Sequence, residues 1–188
     1  MSTAEQLKEQ GVQQFIQGDH EQAAETFRQA ISAYQADNAE DMAAEMRVNL
    51  GLALHSMGQY DAALEQMQAG HATFVKMGDH NRAAQALGNM ARVHAKLGNT
   101  EQAITNYRDA ATTFMELGDE ENYGQTILAI ADLQLRGGKL MQAAATYEIG
   151  LDYIKNPNAR QKLMKKLLGV QHRVMGTGTS APDDKEQE

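Results

Sequence analysis

The chain has 188 residues, a net charge of −8, 42% hydrophobic and 5% aromatic residues, no cysteine, no tryptophan and only 2 prolines. This composition supports one domain of ordinary size with its own core and favours helix over strand. It excludes disulfides, thiolate catalysis and finger-type zinc sites, argues against nonspecific nucleic-acid binding, and offers no run of about 20 apolar residues to span a bilayer.

The first ten residues, MSTAEQLKEQ, lack an apolar signal core, so a soluble, cytoplasmic protein is expected. From there a ladder begins. Gly18, Asn38, Gly58, Gly78, Gly98, Gly118, Gly138 and Asn158 put Gly or Asn at every twentieth position. Both residue types accept the left-handed conformation that ends helices, so the ladder predicts a helix stop at each of these positions. Between stops the apolar residues keep helical spacing, as in Leu87, Met90, Ala91, His94 and Leu97.

Two helices form one unit, giving units at about 4–38, 39–78, 79–118 and 119–158. Columns 40 residues apart run through the second helices: Ala23, Ala63, Ala103, Ala143, then Phe27, Met67, Tyr107, Tyr147. Gly11, Gly51, Ala91 and Ala131 form a small column in the first helices. Small columns let paired helices approach, and large ones fill the space between hairpins. One hairpin cannot bury its apolar face, so the units must stack and the open end needs a cap.

A helix at 159–175 suits the cap, with Leu163, Leu167, Val170 and Val174 expected on its packed side. It carries five bases and no acid from Ala159 to Met175, whereas residues 1–158 carry 21 acids against 11 bases. A solvated cap is favoured over a membrane contact, because the helix has few charges and no aromatic residue. The acidic tail, 176–188, is expected to be disordered.

These columns resemble the tetratricopeptide repeat, whose motif combines a small residue in the first helix, Gly at the hairpin turn, and Ala, an aromatic and Ala in the second. The resemblance covers about Ala4 to Lys155 and implies a right-handed all-α solenoid. Gln10 departs from it by replacing an apolar residue of the first unit. The long unit, the Gly78-Asp79 and Gly118-Asp119 links and the segment GNMARVHAKLGNTEQAI resemble the Leu-Gly-Asn repeat adaptors of the Pins type and, more distantly, kinesin light chains. That resemblance implies peptide binding in an inner groove, partly through Asn side chains.

The groove-facing stripe of the third unit is read as Gln85, Asn89, Arg92 and Lys96, spaced four, three and four apart. Its counterparts include Asn49 and Leu52 in the second unit, Asp132 and Arg136 in the fourth, and Val12 and Ile16 in the first. Asn49 and Asn89 lie inside helices, where Asn is less favourable than Ala by about 0.6 kcal/mol, and could clamp a peptide backbone or simply be solvated. Phe15 and Ile16 are the expected apolar anchors, while Lys8, Arg92, Lys96 and Arg136 are expected to attract acidic groups. The carboxylate clamp known on this fold fits only Lys8 and Asn49, because Val12 and Gln85 stand where it needs Asn and Lys.

No pair of the six histidines has metal-site spacing, GTGTS at 176–180 lacks the lysine of a phosphate loop, and no nucleophile turn occurs. No metal, cofactor or catalysis is expected. The expected function is a noncatalytic adaptor for a protein or peptide partner with apolar and acidic residues. A self-associating scaffold, burying Val12 and Ile16 against another copy, and a regulatory subunit of an enzyme are the alternatives.

Overall fold

The computed structural model describes the backbone of residues 3–176 and the side chains of residues 3–168. Among the described residues the chain is helical throughout, with α1 (Ala4–Gln17), α2 (His20–Ala36), α3 (Glu40–Ser56), α4 (Tyr60–Met77), α5 (His80–Lys96), α6 (Thr100–Glu116), α7 (Glu120–Arg136), α8 (Leu140–Asp152) and α9 (Ala159–Gly176). Each helix packs against the next in the chain, and α3 also meets α5, so the first helices of successive pairs stand side by side in a solenoid.

The ladder of stops is real down to Gly138: every rung from Gly18 onward, Asn38 included, has positive φ. After each glycine the chain reaches back to satisfy the last carbonyls, as where the Asp79 amide donates to the Phe74 carbonyl at 2.9 Å. The Gly-Asp links do a second job. Asp79 accepts from the Arg82 amide at 3.0 Å and Asp119 from the Asn122 amide at 3.2 Å, so one dipeptide ends a helix and caps the next. The eighth rung fails. Asn158 exchanges hydrogen bonds with Gln161 and starts α9, because α8 has already ended at Asp152 and Pro157 keeps the approach non-helical.

The small and large columns interlock as their sizes require. A Cβ on Gly11 would lie 2.7 Å from the Phe27 ring, and one on Gly51 would lie 2.6 Å from Met67 Cγ. Phe27 and Met67 are fully buried, so the two glycines are what lets α1 approach α2 and α3 approach α4. In the third and fourth pairs the partners are Tyr107 and Tyr147, and alanine takes the glycine position at Ala91 and Ala131.

At the first end, α1 turns Gln6, Gln10 and Gln13 to solvent. Their counterparts, Met46, Leu50 and Ala53 in α3, Ala86, Met90 and Val93 in α5, and Thr126, Ile130 and Leu133 in α7, are all buried against a preceding hairpin. Gln10 thus belongs to a face of α1 on which, among the described residues, no helix packs.

The last helix is rotated from the expected orientation. Met164 and Leu168 pack against the cluster of Leu128, Tyr147 and Leu151, while Leu163 and Leu167 are 58% and 55% exposed. Arg160 lies on the packed face: its guanidinium holds both carboxylate oxygens of Asp132 at 2.7 and 3.4 Å, and Arg160, Met164 and Leu168 follow one another at four-residue spacing. Gly176 belongs to α9. The side chains of Val170 and Val174 and the expected tail from 177 onward lie outside the described residues.

Candidate functional site

Because α5 and α7 are neighbours with α6 behind them, the side chains pointing between them line a groove. One cavity of about 530 Å³ has Gln85, Gly88, Asn89 and Arg92 of α5 on one wall, Gln125 and Ala129 of α7 on the other, and Tyr107 and Phe114 of α6 at its base. A second, of about 190 Å³, continues it with His55, Arg92, Lys96, Tyr107, Asp132 and Arg136. A third, of about 300 Å³, runs on from Gln125, Ala129 and Asp132 to Arg160 and Met164 of α9. Ala129 is common to all three, so they form one continuous trough across the first helices of the last units.

The trough unites Gln85, Asn89, Arg92, Lys96, Asp132 and Arg136, half of the residues expected from sequence. Lys8, Val12, Phe15, Ile16, Asn49 and Leu52 line none of these three cavities. Val12, Phe15 and Leu52 are partly buried against the chain's own core, and the Phe15 ring leans on His20 with centroids 5.2 Å apart. Ile16 remains 71% exposed.

Charge divides the expected cations into spent and free. Lys8 is matched by Glu5 at 2.8 Å, and that lysine, ahead of the Tyr34 hydroxyl, holds the Glu5 carboxyl below the usual range. Arg82, which sequence reasoning did not single out, lies over the Phe74 ring and pairs with Asp79 at 2.6 Å, Asp41 at 3.6 Å and Glu45 at 3.7 Å. Asp132 is taken up by Arg160 and by the Tyr147 hydroxyl, which donates to it; burial first, and then this carboxylate, push the phenol up to about 12. Gln85 donates to Asn81 at 2.6 Å. Among the described residues, the side chains of Asn49, Asn89, Arg92, Lys96 and Arg136 make no hydrogen bond or ion pair.

His55 and Tyr107 were missed as lining residues, although the columns held a signal. His55 lies 40 residues before Ala95, and both sit one position before the outer end of the stripe. Burial, followed by the charges of Arg92 and Lys96, lowers the His55 imidazole below its ordinary value. Among the described residues no His, Cys, Asp and Glu cluster could hold a metal ion, and no helix is long and apolar enough to cross a membrane.

Paired helices in 40-residue units, with a groove between successive first helices, define a helical-repeat protein of the tetratricopeptide type. Within that class, the family model of SNAP, the soluble NSF attachment protein, matches residues 2–169, and the chain belongs to this family. Comparison with curated proteins gave no match.

Similar solved structures include BtubC (BKLC) from P. vanneervenii, 17% identical with a TM-score of 0.73 over 98% of this chain and 85% of that one. Aspartyl phosphate phosphatase F from Bacillus subtilis is 16% identical with a TM-score of 0.80 over 92% of this chain, which spans 48% of its length. Pseudomonas aeruginosa pilF is 15% identical with a TM-score of 0.52, covering 94% of this chain and 93% of that one. At these identities the likeness is one of fold.

Proposed function

We propose that the chain is a noncatalytic adaptor that holds an extended segment or short helix of a partner protein in the trough. The observation that carries this reading is the set of unpaired polar side chains on successive first helices: the Asn89 amide and the cations Arg92, Lys96 and Arg136 in the trough, and the Asn49 amide on the preceding first helix, outside its three cavities. Two amide hydrogen bonds contribute about 1 kcal/mol each, whereas micromolar binding needs about 8 kcal/mol, so the amides set register and other contacts must supply affinity.

Those contacts lie at the cationic end, because Val12, Phe15 and Leu52 are already packed against their own core. The partner segment is therefore acidic where it passes Arg92, Lys96 and Arg136. The family takes its name from soluble attachment to NSF, which supports a protein partner without assigning NSF to this chain. The 40-residue unit and its Gly-Asp links align the groove, in our reading, with the Leu-Gly-Asn adaptors.

The test is an affinity capture from native lysate with the wild type, with Asn49→Ala plus Asn89→Ala, and with Arg92→Ala plus Arg136→Ala. Both double variants should lose the proteins that the wild type recovers. Equal recovery of every protein by all three would remove the groove from the function.

A further inference from the structure

Three cations converge on the 190 Å³ cavity from two adjacent helices. Arg92 and Lys96 stand one turn apart on α5, and Arg136 faces the same space from α7. None has an ion-pair or hydrogen-bond partner among the described residues. The one carboxylate on the wall, Asp132, is already engaged by Arg160 and Tyr147. The cavity thus presents three uncompensated positive charges, and a lone carboxylate would leave two of them unmatched.

Tyr107 adds a donor. The residue is buried, lines this cavity, and its hydroxyl has no hydrogen-bond partner among the described residues. The space corresponds to about six water molecules at roughly 30 Å³ each, which admits a tetrahedral anion with some of its waters. Guanidinium groups are suited to this load, because their planar fork donates two parallel hydrogen bonds to phosphate oxygens.

We propose that the cavity between Arg92, Lys96, Tyr107 and Arg136 binds a phosphoryl dianion. The inference rests on the groove reading above and sharpens it: the partner segment carries a phosphorylated side chain that enters this cavity while its backbone follows the trough. Free phosphate offers the same chemistry, and the experiment separates the two sources. On a third helix, α3, His55 lines the same cavity, its imidazole lowered first by burial and then by the charges of Arg92 and Lys96.

The full chain is titrated at about pH 8, where a phosphoryl group with a second pKa of about 6 is a dianion. The probes are inorganic phosphate, a short phosphoserine peptide, the same peptide unphosphorylated, and acetate, and the readout is the NMR signals of His55 and Tyr107. Phosphate and the phosphopeptide should shift both residues saturably, at least tenfold more tightly than acetate. Arg92→Ala plus Arg136→Ala should weaken phosphate at least tenfold, and Lys162→Ala, an exposed cation of α9 outside the cavity, should change nothing.

Tighter binding of the phosphopeptide than of inorganic phosphate points to a partner's side chain, and the reverse order to free phosphate. Equal weak shifts by phosphate and acetate, or an arginine variant that binds phosphate like the wild type, overturn the proposal. If phosphate fails while lysate capture still depends on Asn49 and Asn89, the phosphoryl subsite falls and the adaptor reading stands.

Discussion

Gly51 and Gly88 both occupy helix interiors, where glycine is less favourable than alanine by about 1 kcal/mol, yet alanine should act on them in opposite directions. At Gly88 an added Cβ would meet nothing within 4 Å, so Gly88→Ala keeps the propensity gain and should stabilise by about 0.5 to 1 kcal/mol. At Gly51 the new carbon would lie 2.6 Å from Met67 Cγ and 3.0 Å from the Ala63 carbonyl oxygen. Met67 is fully buried and the carbonyl belongs to α4, so relief requires α3 and α4 to separate. Overpacking of this kind costs about 1 to 3 kcal/mol, and subtracting the propensity gain leaves a net loss of about 0 to 2 kcal/mol.

For a chain of this size 1 kcal/mol moves the thermal midpoint by about 2 to 4 °C. Thermal melts of wild type, Gly88→Ala and Gly51→Ala followed by circular dichroism should rank Gly88→Ala highest and Gly51→Ala lowest. A Gly51→Ala protein as stable as Gly88→Ala would refute the close approach of α3 and α4 as the reason for glycine at 51.

Two further perturbations address the helix caps and the first unit. Asp79→Ala and Asp119→Ala should each cost about 0.5 to 2 kcal/mol. The folded carboxyls are both lowered, Asp79 chiefly by the Arg82 amide and Asp119 chiefly by the Asn122 side chain. Their contribution is therefore complete above the unfolded value of about 3.9 and fades as pH falls through the lower folded values. Urea midpoints should drop more steeply below about pH 4 in the wild type than in Asp79→Ala plus Asp119→Ala, and equal slopes would exonerate the caps. Val12→Glu should destabilise by about 1 to 3 kcal/mol because Val12 packs on the core, whereas Ile16→Glu should stay within about 0.5 kcal/mol. Light scattering of both tests the scaffold alternative: a mass that never depends on concentration, in wild type and variants alike, excludes self-association through this face.

What could be read in advance follows from whether a feature repeats. Turn glycines, the alternation of Gly11 and Gly51 with Phe27 and Met67, and the stripe from Gln85 to Lys96 recur at one spacing, so each copy supports the others. Features that occur once were not legible. Helix α9 carries apolar residues at both 163/167 and 164/168, and periodicity cannot choose between neighbouring stripes; the packed stripe is the one that continues the face on which Arg160 meets Asp132, 28 residues away. Asp132 was legible as a groove position, but its engagement by Arg160 was not, for the same reason. Lys8 looked like a free cation, although Glu5 on its own helix face could have been read as its partner.

The tripeptides Leu87-Gly88-Asn89 and Leu97-Gly98-Asn99 show the same division. The second is punctuation, with Gly98 at positive φ between α5 and α6. The first is inside α5, and both Gly88 and Asn89 face the groove cavity.

The glutamine face of α1 also guards against a hazard of repetition. Four hairpins of similar pattern can stack out of order or exchange between chains during folding. Moving α1 into an interior slot would bring Gln6, Gln10 and Gln13 where Met46, Leu50 and Ala53 now sit, and each amide stripped of water without a partner costs about 1 to 3 kcal/mol. The three glutamines thereby tell this hairpin from the others and make any order of the stack that buries them the less stable one.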